Sequence, residues 1–405
     1  MTSRGGFEES GASGPLTFGS AAVMQHRAFV EAEVHTVPMA HPEDTSGVAG
    51  LFDGGVLDPA HVIAVMAQTE GGGEGRALAA AALRRLLGER LGVAVETLAG
   101  TVPMLMIGGT AGLMCPHVTL FVNRPVTTPG RQGVARLVLS AGQTRALAPE
   151  ELGSLTAVRE VAAAVTGAMD AAGISGPDQV INVQLKAPAL TAGQIADAAA
   201  RGKSLCSADV SIAGAKTRGA AALGAAVALG EVELAALSED AIGRDAGLYT
   251  RRAFASAGEE QTAVSVVVIA NVDGAPGHLR AAGGVMPHQL DLRAAHRVFA
   301  AAGIDLDNGV VSERDRARIS AVFVKAGADA VGDVVGRRHT MLTGPLAAHA
   351  GNQAKAVAHA ILAGIVGDSL VLANAGPEHQ GAPGSNLLCV IAKQNDTQHG
   401  PRHAR

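Results

Sequence analysis

Three polar residues, Gln68, Lys186 and Lys325, end three apolar runs at matching positions. Each run is rich in β-branched residues, a pattern that predicts a buried strand. A lysine that faces a small, partly apolar pocket has a lowered pKa, because burial and nearby cations disfavour its charged form. Such a lysine can act as a general base on water or on a C–H group beside a carbonyl, or it can form a Schiff base. The sequence therefore predicts a chemical role for Lys186 and Lys325.

The strand-end residues also mark a repeated unit, because they are 118 and 139 residues apart. An Ala-rich helical stretch follows each strand, and a Gly-rich segment follows each helix. The helical stretches are 77–92, 195–202 and 354–368, and the Gly-rich segments are 106–117, 217–231 and 374–385. Strands that alternate with helices predict an α/β or α+β fold. Pseudo-threefold symmetry would bring the strand ends to one central site, whereas three tandem independent domains would need linkers that the sequence lacks.

The composition of the 405-residue chain argues against several kinds of function. The net charge of −5 argues against a nucleic-acid surface, and an aromatic content of 2% argues against a base-stacking platform. No apolar run reaches the length of a membrane span. The three cysteines are scattered, which disfavours a disulfide framework and predicts a reducing, cytoplasmic location.

Motifs spread along the chain point to one known family. They are HPEDTSGVAGLF, GGTAGLMCPH, VQLKAPALT, TRGAAALGAAVALGE, GRRHTML and GPEHQGAPG. From about Glu33 to Lys393 the sequence resembles the cyanuric acid amidohydrolase and barbiturase family, the ring-opening amidohydrolases. The resemblance implies the Toblerone fold, in which three similar strand-helix units surround one small pocket, and a homotetramer. It also implies hydrolysis of a cyclic imide or ureide.

The repeat and the resemblance together predict the domain organisation. Unit A is predicted to span 31–135, unit B 136–260 and unit C 261–393. The polar segments 1–30 and 394–405 are predicted to be a disordered extension and a flexible tail.

The family's chemistry uses one Ser–Lys pair in each unit, in which the lysine helps the serine to attack a ring carbonyl. Carried over residue by residue, the resemblance keeps Lys186 and Lys325 as catalytic residues and puts Gln68 at the first lysine position. It puts apolar or amide residues at the three serine positions, which are Ile107, Ala221 and Asn374. The chain is therefore predicted to lack the family's nucleophile.

The resemblance also predicts which residues bind the substrate. Arg76 and Arg218 match the arginines of the first two units, and Asn352 takes the place of the third. Gly108 and Ala375 are expected to offer backbone groups beside Ile107 and Asn374. The complete predicted substrate-binding set is Arg76, Arg218, Gln68, Ile107, Gly108, Ala221, Asn352, Asn374 and Ala375. Together with Lys186 and Lys325, the two arginines would put up to four cations around one site, which suits a small planar cyclic or anionic ligand.

A structural divalent metal, Mg²⁺ or Ca²⁺, is a further expectation from the family. Glu378 and Gln380 belong to the matching loop at 378–384. The family's metal-binding glutamate, two residues after the third lysine, is Gly327 in this sequence. The predicted ligand set therefore lacks one member.

The residues leave three functions open. The first is hydrolysis of a cyclic amide by water that Lys186 activates. The second is a lyase, isomerase or tautomerase that uses Lys186 as its base. The third is a non-catalytic paralogue that binds a small planar anion or pairs with an active partner.

Overall fold

The computed structural model describes residues 29–395. Most of the predicted extension and tail lie outside this range. At the borders, Phe29 already begins the first strand, and the Gln394 side chain donates to the carbonyl of Ala302 at 2.8 Å. Within the described range no helix is long and apolar enough to cross a membrane.

Unit A contains one four-stranded sheet and three helices. Its strands are β1 (Phe29–Pro38), β2 (Val62–Gln68), β3 (Met104–Ile107) and β4 (His117–Val126). Its helices are α1 (Ser46–Asp53), α2 (Gly73–Leu91) and α3 (Val95–Thr101). The strand order is β1-β4-β2-β3.

Unit B repeats this arrangement. Its strands are β5 (Ala135–Gln143), β6 (Val180–Pro188), β7 (Ala253–Gly258) and β8 (Ser265–Asp273). Its helices are α4 (Leu155–Ala171), α5 (Ala192–Ala200) and α6 (Val210–Ala228). The strand order is β5-β8-β6-β7.

Unit C has the same sheet with two small hairpins added. Its strands, in chain order, are β9 (Leu279–Met286), β10 (Leu306–Asp307), β11 (Val310–Val311), β12 (Ile319–Lys325), β13 (Asp333–Val334), β14 (Arg337–Arg338), β15 (Val371–Asn374) and β16 (Asn386–Lys393). Its helices are α7 (Leu292–Ala301), α8 (Glu313–Arg316) and α9 (Ala350–Val366). The four-stranded sheet has the order β9-β16-β12-β15.

All three large sheets share one topology, which confirms the predicted α/β fold of three similar units. In each sheet the second and third strands are parallel, and the fourth strand is antiparallel to the first and second. The predicted boundary between units B and C at 260/261 differs from this topology. β8 pairs with β5 and β6 and therefore completes unit B, so unit C begins with β9 at Leu279.

The inner faces of the three sheets enclose a common apolar core. Each sheet contributes one buried phenylalanine to it, namely Phe121, Phe254 and Phe323. Helices cover the outer faces, and each unit has its own second cluster between sheet and helices. Because the shared core excludes water, burial of apolar surface there stabilises the closed three-unit arrangement.

Hydrogen bonds close the three junctions between sheets. The Asn123 side chain joins β4 to β5 through the carbonyl of Leu139 at 3.1 Å. The Asn271 side chain joins β8 to β9 through the carbonyl of Ala281 at 2.8 Å. The Thr36 hydroxyl donates to the carbonyl of Ser320 on β12 at 2.9 Å.

The Gly-rich segment predicted for unit B at 217–231 is mostly helix α6, not a loop. Its small residues allow α6 to lie close to α4. A Cβ atom at Gly224 would stand 2.6 Å from Cβ of Val161, closer than packed atoms approach. The segment is therefore not the counterpart of the Gly-rich segments after β3 and β15.

Candidate active site

The second and third strands of each unit run side by side, and polar or apolar residues at or near their carboxyl ends are partners in register. The three register pairs are Gln68 with Ile107, Lys186 with Ser256, and Lys325 with Asn374. Register partners on neighbouring parallel strands lie on the same face of the sheet. The threefold arrangement thus brings three pairs of strand-end side chains to the centre of the molecule.

The register corrects the sequence-based assignment in unit B. Ala221 was predicted at the serine position, but it is buried in the apolar core on helix α6 and does not line the cavity. The position equivalent to Ile107 and Asn374 is held by Ser256, two residues before the end of β7. A hydroxyl therefore lies beside Lys186, and the prediction that all three serine positions are lost does not fit this register.

A cavity of about 380 Å³ opens where the strand ends meet. The predicted site residues in its wall are Arg76, Ile107, Gly108, Lys186, Arg218, Asn352, Asn374, Ala375 and Glu378. The predicted residues outside the wall are Gln68, Ala221, Lys325 and Gln380. Residues that sequence reasoning missed are Ser256, Asp329 and Lys355 in the wall, with Glu260 behind it.

Lys186 is fixed at the end of β6 by a carboxylate and a carbonyl. Its Nζ lies 3.1 Å from Oε1 of Glu260 and donates to the carbonyl of Ala257 at 3.1 Å. Burial lowers the pKa of Lys186 to about 8, with Glu260 acting against this shift and Arg76 adding to it. The uncharged form of Lys186, which can accept a proton, is therefore accessible close to neutral pH and increases as the pH rises towards 8.

Glu260 links Lys186 to the neighbouring unit. Its Oε2 accepts from Nε of Arg76 at 3.1 Å, while its Oε1 faces Lys186. Burial acts to raise the pKa of Glu260, but Lys186 and Arg76 outweigh it and the net shift is downward. Glu260 therefore stays ionised and holds two cations in place at the cavity.

Ser256 is 6% exposed and is one of the residues that line the cavity. Its Oγ donates to the carbonyl of Leu185 at 3.4 Å, a long contact that is easily exchanged for another acceptor. A serine beside a lysine of lowered pKa is a recurrent nucleophile–base combination. Among the three register pairs, this is the one that joins a hydroxyl to an amine.

Arg218 and Glu378 form the second charged pair of the wall. Nε and Nη2 of Arg218 donate to the two carboxylate oxygens of Glu378 at 2.9 and 2.7 Å. Burial would lower the pKa of Arg218, yet Glu378 raises it overall. Burial and the nearby Glu378 raise the pKa of Asp329.

Lys325 lies behind the wall rather than in it. Its Nζ donates to the carbonyls of Ala255 at 2.7 Å and Ala375 at 2.6 Å. Burial, with Arg218 adding to it, lowers the pKa of Lys325 to about 7. Because Ala255 immediately precedes Ser256, Lys325 holds the backbone that presents this hydroxyl.

Gln68 holds the strand position that Lys186 and Lys325 hold in the other units, and both ends of its neutral amide are hydrogen-bonded. Its Nε2 donates to the carbonyl of Ile107 at 3.2 Å, and its Oε1 accepts from the backbone of Ala373 at 3.2 Å. Gln68 therefore joins units A and C behind the cavity wall and takes no part in the wall itself.

The boundary between units C and A lacks the charged pair found at the other two boundaries. Glu260 stands four residues after Ser256, and Glu378 four residues after Asn374. Four residues after Ile107 the sequence has Ala111 instead. Since Asn352 takes the place of the third arginine, both members of this pair are uncharged.

A different cation reaches this boundary from one helical turn further along α9. Nζ of Lys355 donates to the carbonyl of Gly108 at 3.0 Å. Burial lowers the pKa of Lys355 to about 8, and Arg76 adds to the shift. Lys355 thus brings a cation to an edge of the cavity where Asn352 stands instead of an arginine like Arg76 or Arg218.

The predicted metal ligands do not fit a divalent ion. Both oxygens of Glu378 accept from Arg218, and Oε1 of Gln380 accepts from the backbone of Ala255 at 2.6 Å. A Cβ at Gly327 would stand 2.3 Å from the carbonyl oxygen of Ser385, so this backbone has no room for a glutamate there. Within residues 29–395 no group of three or more His, Cys, Asp or Glu could hold a metal. The backbone at Gly327 instead packs directly against Ser385, the residue before β16.

This packing predicts that Gly327→Ala lowers the free energy of unfolding by about 1–3 kcal/mol, since the added methyl group has no space. Thermal or urea unfolding measures the change. Gly332→Ala is the matched control, because a Cβ there meets nothing within 4 Å. Equal unfolding midpoints for the two variants would contradict the close contact at Gly327.

Comparison with known proteins agrees with this architecture. A family profile described as "Amidohydrolase ring-opening protein" matches residues 33–393. A cyclic amide hydrolase of Azorhizobium caulinodans is 36% identical over 364 residues, which cover 89% of this chain and 99% of the relative. A cyanuric acid amidohydrolase of Methylobacterium sp. is 40% identical over 368 residues, which cover 90% and 97% of the two chains.

Solved structures show the same fold. A cyanuric acid hydrolase structure superposes with a TM-score of 0.84 at 36% identity, covering 90% of this chain and all of the other. A second, from A. caulinodans, gives a TM-score of 0.80 at 34% identity, with 91% and 100% covered. The chain therefore belongs to the ring-opening amidohydrolase family, as its sequence motifs indicate.

Proposed function

We propose that this protein opens a small cyclic amide, imide or ureide by hydrolysis, with Ser256 as nucleophile and Lys186 as general base. The observation that carries this proposal is the register pair of Lys186 and Ser256 at the cavity. The relatives named as cyanuric acid amidohydrolase and cyclic amide hydrolase support the same class of reaction.

In the first half of the reaction, neutral Lys186 accepts the proton of the Ser256 hydroxyl. The serine oxygen attacks a ring carbonyl carbon and forms a C–O bond. The tetrahedral intermediate collapses with cleavage of the ring C–N bond, and the leaving nitrogen takes the proton from Lys186. The product of this half is an open-chain acyl ester on Ser256.

In the second half, water replaces the ring nitrogen as the reacting group. Lys186 accepts a proton from water, whose oxygen attacks the ester carbonyl. The ester C–O bond breaks, and the serine oxygen recovers its proton from Lys186. The products are a linear carboxylic acid and the free enzyme, so atoms and protons balance.

Two arginines can hold the ring during these steps. Arg76 uses its Nε for Glu260, and Arg218 uses Nε and Nη2 for Glu378. Their other guanidinium N–H groups can donate to carbonyl oxygens of a planar ring. As negative charge develops on the attacked oxygen, fixed cations in a partly buried cavity stabilise it.

A covalent intermediate on Ser256 provides the direct test. Barbiturate and cyanuric acid are offered as probes, and ring opening is followed by ultraviolet absorbance. Acid quenching during turnover, followed by peptide mass spectrometry, should show the Ser256 peptide heavier by the mass of one ring. An adduct on another residue would overturn the role of Ser256, and a melting shift by both compounds without turnover would favour the binding paralogue.

The homotetramer implied by the resemblance and the cytoplasmic location predicted from the scattered cysteines stay predictions. The mechanism proposed for Ser256 and Lys186 needs neither, because units A, B and C of one chain supply the cavity wall.

A further inference from the structure

One edge of the cavity breaks the pseudo-threefold symmetry through its helix residues. Arg76, Arg218 and Asn352 lie at matching positions on α2, α6 and α9. Three residues further along, the helices carry buried alanines in units A and B but a lysine in unit C; these residues are Ala79, Ala221 and Lys355. Residues three apart on a helix share a face. Unit C has therefore lost the cation at one position and gained one at the next turn.

Lys355 has no carboxylate partner among the described residues. It is 5% exposed, it lines the cavity, and the hydrogen bond shown for its Nζ is the one to the carbonyl of Gly108. By contrast, Arg76 and Lys186 share Glu260, and Arg218 is paired with Glu378. The charged group that acts on Lys355 is Arg76, which is also positive. A buried ammonium beside another cation is stabilised by an anion.

The strand end at the same edge is apolar. Ile107 stands in register where Ser256 and Asn374 stand in the other units, and it lines the cavity. Its side chain has no hydrogen-bonding group. A ring carbonyl that pointed at Ile107 would lose its hydrogen bond to water without replacement, which is unfavourable. A ring carbon fits this position better than a carbonyl does.

Building on the proposed function, we propose that the natural substrate is a cyclic amide or ureide whose carbon edge packs against Ile107 and bears a carboxylate that binds Lys355. Lys355 has three N–H donors and uses one for Gly108, so two are free for carboxylate oxygens. The amide of Asn352, in the wall of the same edge, can add a hydrogen bond. A ring with three identical edges would leave Lys355 without an anion.

The test compares two rings that differ only in the carboxylate: 5,6-dihydrouracil and its 6-carboxylate. Ring loss is followed by liquid chromatography, and binding by titration calorimetry. The wild-type protein is expected to favour the carboxylated ring in kcat/KM. Lys355→Met should lower kcat/KM for that ring by about 10- to 100-fold, the effect of one lost charge-assisted hydrogen bond, and should lower it much less for the plain ring. Lys355→Arg should restore part of the preference.

Controls separate this inference from the proposed function. Lys203→Met removes an exposed lysine and should leave the preference for the carboxylated ring unchanged. Ring opening that depends on Ser256 but shows no preference would overturn the inference and leave the proposed function standing. Binding that depends on Lys355, without turnover of either ring, would support the inference and overturn the proposed hydrolysis. Equal binding of both rings by wild type and Lys355→Met would overturn the inference.

Discussion

Replacing Ser256 with alanine is expected to lower kcat for ring opening by at least about 10³-fold, because it removes the nucleophile that forms the acyl ester. Ligand binding should stay within about threefold, since the arginines that hold the ring are untouched. Steady-state kinetics with the tightest-binding ring, together with calorimetry, measure the two effects separately. The methyl side chain of alanine fits the space of the serine, so the fold should be preserved.

The chain offers a matched control for this substitution. Ser265 is a second buried serine in register with Lys186. It lies on β8, which flanks β6 on the side away from β7, and it does not line the cavity. Ser265→Ala should keep most of the activity. If Ser256→Ala keeps more than about a tenth of the wild-type kcat, water activated by Lys186 becomes the better explanation. That outcome would support the first of the three functions that the sequence left open, hydrolysis by water that Lys186 activates.

Replacing Lys186 with methionine is expected to lower kcat/KM by about 10²–10⁴-fold, the usual contribution of a general base. In the wild-type protein the neutral amine is the active form. Burial lowers the pKa of Lys186 to about 8, so log kcat/KM should rise with pH and level off above about pH 8. The Lys186→Met variant should lose this rising limb. A pH series from 6 to 10 on an uncharged ring measures the profile.

A second lysine provides a test of whether the rising limb of the pH profile belongs to Lys186. Lys355 also has its pKa lowered to about 8 by burial, but the proposed mechanism gives it no proton to carry. Lys355→Met should therefore keep the rising limb with an uncharged ring. A limb that persists in Lys186→Met and disappears in Lys355→Met would contradict the assignment of the base.

Replacing Glu260 should shift the rising limb of the pH profile of kcat/KM rather than remove it. Its carboxylate acts to raise the pKa of Lys186 against burial, so Glu260→Gln should move the limb to lower pH. This shift would distinguish a residue that positions and tunes the base from one that merely supports the fold.

The sequence determined the parts of this protein that depend on local patterns. Apolar runs with polar ends predicted the strands that carry Gln68, Lys186 and Lys325, and their spacing predicted three similar units. Strand and helix periodicity arises from neighbouring residues, so one sequence is enough to see it. The family motifs were visible for the same reason.

The tertiary structure decided which residues meet. Ala221 was misplaced because the resemblance was carried over through the motif at 217–231, most of which lies in helix α6 and not at the end of a strand. The pairing of β6 with β7 joins residues that are distant in the sequence and puts Ser256 beside Lys186.

Contacts between units were beyond the reach of local patterns as well. The equal spacing of Glu260 and Glu378, four residues after Ser256 and Asn374, was present in the sequence. Their partners, Arg76 and Arg218, belong to a different unit in each case. Lys355 gave no signal in the sequence, because its role follows from reaching unit A and from having no carboxylate partner within residues 29–395. Non-local packing decides such contacts, and with them the proposed nucleophile and the charged edge of the site.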